Sequence, residues 1–131
     1  MANVTVTLTV NTAQIVKPNV DDYCSFGQSS GSNEDYTTVA NVNDTITWQG
    51  ASSSSASDVV NITAINYGGG NNIFGQPNLQ GNGGDPETVQ GTVQNNTGGD
   101  NETYTIFFTV YNGTNQRNGQ FNIDPKIQVN P

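Results

Sequence analysis

The chain predicts an all-β fold, a mainly antiparallel β-sandwich of the immunoglobulin-like or jelly-roll-like kind with about eight strands. Three observations carry this expectation. Apolar and β-branched residues recur at two-residue spacing in several short segments, Gly, Asn and Pro separate those segments, and none of them has a helical period. At 131 residues the chain can bury one core, so a single domain over residues 1–131 is expected.

The pattern is clearest in residues 102–111, where Tyr104, Ile106, Phe108 and Val110 share one face of a strand. Thr103, Thr105 and Thr109 fall on the other face, and Phe107 and Tyr111 interrupt it, as in a central strand partly covered on both sides.

In chain order, residues 3–10 alternate cleanly, with Val4, Val6, Leu8 and Val10 opposed to Thr5, Thr7 and Thr9. Ile15 and Val16 extend the apolar signal until Lys17-Pro18-Asn19 stops it, since proline cannot donate to a ladder. Residues 21–35 read as a long loop holding Asp21, Asp22, Tyr23, Cys24 and Phe26. Residues 36–40 form a short strand, and a turn at Asn43-Asp44 leads into residues 45–49, where Ile46 and Trp48 share a core face.

Residues 50–57, with four consecutive serines, read as a polar linker. In residues 58–67 both phases of the alternation carry apolar side chains, as expected of an interior strand. Ile73-Phe74 adds a brief apolar contact before a Gly- and Asn-rich stretch, and residues 87–94 make a strand with Val89 and Val93 in phase. After the central strand, Asn112-Gly113-Thr114-Asn115 turns the chain into residues 120–129, where Phe121, Ile123, Ile127 and Val129 alternate around Asp124-Pro125. The predicted core is Val4, Val6, Leu8, Ile46, Trp48, Val60, Ile62, Tyr104, Ile106, Phe108, Val110, Phe121 and Ile123.

Composition removes whole classes of function. With three Lys+Arg against eleven Asp+Glu, a net charge of −8, the chain has no basic patch for nucleic acid. There is no His, so the usual general base and the commonest ligand for zinc or copper are missing. Cys24 is the only cysteine, which leaves no internal disulfide, thiolate cluster or Cys-His nucleophile. No nucleophile elbow, phosphate loop or metalloprotease helix is present, so the chain is not expected to be an enzyme. It shows neither a signal peptide nor an apolar run of membrane-spanning length, and the expectation is a soluble protein, cytoplasmic or exported by a non-classical route.

One echo links Gly83-Gly84-Asp85-Pro86-Glu87-Thr88 to Gly98-Gly99-Asp100-Asn101-Glu102-Thr103. Both segments lead into strands and read as similar turns, or as acid-bearing turns offered to calcium, a hard cation that takes oxygen ligands. The candidate carbohydrate- or calcium-binding residues are Asp21, Asp22, Glu34, Asp35, Asp85, Glu87, Asp100 and Glu102. Asp21, Asp22 and Asp35 are the candidate metal ligands, with calcium as the candidate cofactor. Six Asn-x-Ser/Thr triplets, beginning at Asn3, Asn43, Asn61, Asn95, Asn101 and Asn112, read as a by-product of Asn and Thr abundance.

The stretch Val42-Asn43-Asp44-Thr45-Ile46-Thr47-Trp48 resembles a strand of the cupredoxins, whose copper ligands are excluded here by the lack of His. A second resemblance covers more of the chain. The order of the early strand at residues 4–12, that same stretch, residues 59–67 followed by Ile73-Phe74, residues 104–111, and the closing Phe121-Asn122-Ile123-Asp124-Pro125-Lys126-Ile127 is similar to the AidA/PixA family of bacterial inclusion-body proteins. The resemblance implies a compact β-sandwich with no catalytic residues to carry over.

Neutral-polar loops and clustered acids lead to the functional expectation of a non-enzymatic, lectin-type carbohydrate-binding protein, assisted by calcium, with glycans as partners. The alternative is a storage or self-assembling inclusion-body protein without a small-molecule ligand. Thr-rich faces of low charge make pairing between copies inexpensive, so a homo-oligomer of two or more subunits is expected.

Overall fold

The computed structural model describes residues 2–27, 31–67, 73–76, 78–84 and 86–130. Within them the chain forms eleven strands and one 3-10 turn. The strands are β1 (Asn3–Val10), β2 (Cys24–Ser25), β3 (Thr37–Asn41), β4 (Thr45–Ser52), β5 (Val59–Asn66), β6 (Asn78–Gln80), β7 (Val89–Thr92), β8 (Glu102–Thr103), β9 (Thr105–Asn112), β10 (Asn115–Ile123) and β11 (Lys126–Asn130). They lie in three sheets, ordered β2-β1-β4-β7, β10-β9-β5-β6 and β3-β11-β8.

The class is the expected one, an all-β sandwich-like fold, because each long strand has one apolar phase that must be hidden. Val6, Leu8, Val10, Ile46, Trp48 and Val89 come from the first sheet; Val60, Ile62, Ile65, Ile106, Phe108, Val110, Phe121 and Ile123 from the second; Ala40, Ile127 and Val129 from the third. All belong to one buried cluster. Trp48 packs edge-on against Phe74 and Tyr104, and Phe74 in turn against Tyr67, with centroids 5.6–5.9 Å apart. Of the predicted core only Val4, near the start of β1, remains half-buried.

Several details depart from expectation. Two pairings are parallel, β1 with β4 and β11 with β3. The strand count rises above eight because β2, β6 and β8 have only two or three residues each. β4 continues through Gly50, Ala51 and Ser52, which alternation alone had assigned to a linker, because the parallel ladder to β1 runs to Val10↔Ser52. At Gly50 the first sheet meets the second so closely that a Cβ there would lie 2.7 Å from the Val60 Cβ.

The apolar residues on both phases of β5 have a local cause. A register shift between Ile62 and Ala64 inserts one residue, so Val60 and Ile62 are buried before it and Ile65 and Tyr67 after it. β5 is interior in its sheet, between β9 and β6. The central segment likewise divides at Tyr104, whose N–H donates to the Pro125 carbonyl at 3.0 Å instead of joining the β9 ladder. Asp124-Pro125 breaks residues 120–129 into the end of β10 and the start of β11, which runs on to Asn130.

Candidate functional site

The acidic residues singled out by the sequence are dispersed. Asp21 and Asp22 sit exposed on the 3-10 turn Val20–Tyr23, where Asn33 donates its amide to the Asp21 carbonyl at 3.2 Å and to the Cys24 carbonyl at 2.9 Å. Asp35 instead pairs with Lys126 at 3.1 Å. That ammonium, through a direct hydrogen bond, holds the Asp35 carboxyl below the usual carboxylate range. Glu34 lies beside Asp35 in a shallow cavity of about 410 Å³ shared with Thr103, Asp124 and Lys126.

Glu87 accepts from the Gly83 N–H at 3.1 Å, while its own N–H donates to the Asn61 side chain at 2.8 Å, so it fastens the loop that leads into β7. Glu102 receives the Tyr67 hydroxyl. Asp100 is exposed in a turn, its N–H bonded to the Thr97 carbonyl at 3.3 Å, and Asp85 lies outside the described residues. Among the described residues no three His, Cys, Asp or Glu side chains gather where they could hold one metal ion. Tyr111, a half-buried ring beside Asn61 in a second cavity, turns its hydroxyl onto Gln116 of its own hairpin at 3.3 Å.

The best-connected polar groups are ones the sequence reading passed over. Thr12 is fully buried, and its hydroxyl donates to Asp58 Oδ2 at 2.7 Å. A hydroxyl has one proton, so Ser52 and Ser54, at 2.7 and 2.9 Å, are donors to the same oxygen. Asn112 donates to the Thr12 carbonyl at 2.9 Å and to Asp58 at 3.0 Å, and Arg117 bonds Asn112 at 3.3 Å and the Ile15 carbonyl at 2.8 Å. The Thr12 hydroxyl, then the Asn112 amide, lower the Asp58 carboxyl below its ordinary range. The network ties the end of β1 and the serine loop to the β9–β10 hairpin. Its only trace in the sequence is an acid that follows a serine-rich run.

Asp44 is the second such group. Its carboxylate accepts from the Asn41 N–H and the Ala2 N–H, both at 2.9 Å, and these bonds, Asn41 first, hold the carboxyl below the usual carboxylate pKa. The Asp44 N–H returns to the Asn41 carbonyl at 3.0 Å, so the last residue of β3 has both main-chain groups occupied by the turn that follows it. Cys24, the lone thiol, is pushed up to about 12 by burial, with Asp21 adding to the effect, which makes it a packing group and not a nucleophile.

Of the site residues, Asp35, Glu87 and Glu102 are engaged in internal bonds, in a fold that defines an all-β sandwich-like protein. That fold is similar to the crystal structure of the inclusion body protein PixA from Burkholderia cenocepacia, with a TM-score of 0.55 and 15% sequence identity over 98% of this chain and 95% of that one. The PixA-like organisation expected from the order of sequence features is thus present in the fold. Comparison with models of known protein families gives no match, and neither does comparison with curated proteins.

These results correct the functional expectation. The fold likeness is to an inclusion-body protein and favours the alternative reading over a lectin; carbohydrate binding and calcium find no support. The physical reason lies in the same side chains: Asp35, Glu87 and Glu102 have partners within the chain, and Asn61 and Tyr111 are engaged by the loop and hairpin around them. Among the described residues no helix is long and apolar enough to cross a membrane.

Proposed function

We propose that this chain is a non-enzymatic protein of the inclusion-body type, which works by accumulating and associating with copies of itself. The observation that carries the reading is the fold likeness to PixA, which extends over nearly the whole of both chains. The surface chemistry agrees with it. The outer face of β1, β4 and β7 presents Thr5, Thr7, Thr9, Thr45, Thr47, Gln49, Gln90 and Thr92 with no charged side chain, and amide-to-hydroxyl bonds cross it from Gln49 to Thr7 and from Gln90 to Thr47. Such a face can approach another copy without desolvating an ion.

An inclusion forms inside the cell that makes its protein, so the reading carries a cytoplasmic location with it. The test is expression of the untagged full chain, with microscopy for dense bodies and circular dichroism on protein released from them under mild conditions. Bodies that release folded β protein support the reading. A chain that stays dispersed at high expression and scatters light as a monomer over a wide concentration range would end it.

A further inference from the structure

The chain contains three Asn-Gly pairs, Asn82-Gly83, Asn112-Gly113 and Asn118-Gly119. In such a pair the glycine nitrogen can reach the asparagine side-chain carbon and close a five-membered ring, because no Cβ on the glycine stands in the way. The reaction is helped by a base for the glycine N–H, by donors on the amide oxygen, and by an open path for ammonia and water. The fold supplies these unequally.

Asn112 is half-buried at the end of β9, paired with Asn115 across the hairpin, and its amide nitrogen donates to the Thr12 carbonyl at 2.9 Å and to Asp58 at 3.0 Å. Its leaving group is thus tied to two acceptors, and its main chain is held extended by the ladder. The pair Asn118-Gly119 lies within β10.

Asn82-Gly83 lies outside any strand, between β6 and β7, and both residues are exposed. The Asn82 N–H bonds the Thr88 carbonyl at 2.9 Å and closes the loop. Inside it Asn82 Oδ1 accepts from two main-chain donors, the Gly84 N–H at 2.8 Å and the Thr88 N–H at 3.2 Å, the arrangement of an oxyanion hole. Asn82 Nδ2 donates to Thr88 Oγ1 at 3.0 Å, and the Gly83 N–H donates to Glu87 Oε2 at 3.1 Å. Two glycines make room for this set. A Cβ on Gly81 would overlap the Glu87 carboxylate, whereas beyond its chain neighbours Gly83, at φ +73°, has no atom within 4 Å of where a Cβ would stand.

We infer that Asn82-Gly83 is a self-modification site, at which the chain converts its own asparagine to aspartate and isoaspartate through a cyclic imide. Glu87 takes the proton from the Gly83 nitrogen as that nitrogen bonds to Asn82 Cγ. The negative charge that builds on Oδ1 falls between the Gly84 and Thr88 N–H groups. The Cγ–Nδ2 bond then breaks, the proton passes from Glu87 to the departing nitrogen, and ammonia leaves. Water opens the imide at either carbonyl and leaves a carboxylate in place of the amide. The product carries one more negative charge than the −8 of the unmodified chain, set beside Glu87, and has lost the donor to Thr88, so the loop between β6 and β7 loosens. Each chain can react once, and the fraction converted records its age. This chemistry is independent of self-association.

The test is peptide mapping by mass spectrometry on the full chain kept at neutral pH, folded and in guanidinium chloride, with isoaspartate scored at Asn82, Asn112 and Asn118. The expected result is that Asn82 converts at least about tenfold faster in the folded chain than in the unfolded one, since a positioned base and oxyanion donors each supply about a hundredfold or more. Asn112 should convert more slowly folded than unfolded. Glu87→Gln, which keeps an acceptor oxygen for the Gly83 N–H, should remove most of the folded-state acceleration and leave the unfolded rate unchanged. Circular dichroism reports its folding, and if it does not fold the wild-type comparison decides alone. A folded rate at Asn82 equal to or below the unfolded rate overturns the site, and so does a folded Glu87→Gln chain that converts as fast as wild type.

Discussion

Trp48 donates its indole N–H to the hydroxyl of Tyr104 across 3.0 Å, in a core where both side chains are almost fully buried. The bond links β4 of the first sheet to the segment that joins β8 and β9. Tyr104→Phe keeps the ring and strands the indole donor, so a loss of about 1–3 kcal/mol is expected in chemical denaturation. Burial raises the Tyr104 hydroxyl far above its usual range. Its neutral form is the one that the fold favours, so this contribution is complete below about pH 10 and is lost as the pH rises through the folded value. A tyrosinate absorbance titration should show one tyrosine ionising only with unfolding, and that step should vanish in Tyr104→Phe.

Acid should act through Asp44 and Asp58. Both are lowered in the folded state by donors, the Asn41 and Ala2 N–H groups for one and Thr12 and Asn112 for the other. Their contribution is present above the unfolded value near pH 4 and fades as pH falls through the folded values. Melting temperature should therefore be flat near neutrality and drop below about pH 4. Thr12→Val should lower stability at pH 7 by about 1–3 kcal/mol, because it removes the centre of a buried network. It should also make the acid drop shallower; an unchanged acid profile would show that Asp58 does not depend on Thr12.

Gly50→Ala places a methyl group against the Val60 side chain and carbonyl at the crossing of β4 and β5. Overpacking of this kind costs about 1–3 kcal/mol, and the shift should appear in the denaturation midpoint with little change in slope. Gly91→Ala, aimed at the Leu79 and Phe74 side chains, should cost less, since side chains can move where a carbonyl cannot.

For Cys24, with its thiol near 12, alkylation of the native protein at pH 8 should be slower than that of the unfolded chain by roughly a thousandfold, the ratio of thiolate fractions. Native reactivity equal to that in denaturant would place the thiol in solvent.

The residues themselves show where sequence is informative. Val6, Leu8, Ile46, Trp48, Ile106, Phe108 and Phe121 are legible as core because burial on one side of a strand imposes a period of two. The bulge in β5 is not, since the apolar phases before and after it look like a strand covered on both sides. The parallel partnerships are not legible either: alternation gives the face of a strand and says nothing of its neighbour. The acids divide on the same ground. Asp44 and Asp58 matter through donors brought from Ala2, Thr12 and Asn112, and only the fold assembles those sets. Pairs of acids adjacent in sequence, such as Asp21-Asp22, stand out on inspection and yet lie exposed on a turn.

The parallel pairing of β3 with β11 has a consequence for the order of synthesis. Asn41 and Asn130 meet side by side although 89 positions separate them. At a translation rate of about 5–20 residues per second, β3 waits roughly 4 to 18 seconds before its neighbour exists. During that interval both of its edges are open. The third sheet is thus the last to close, and nearly the whole chain must be made before β3 gains its partner.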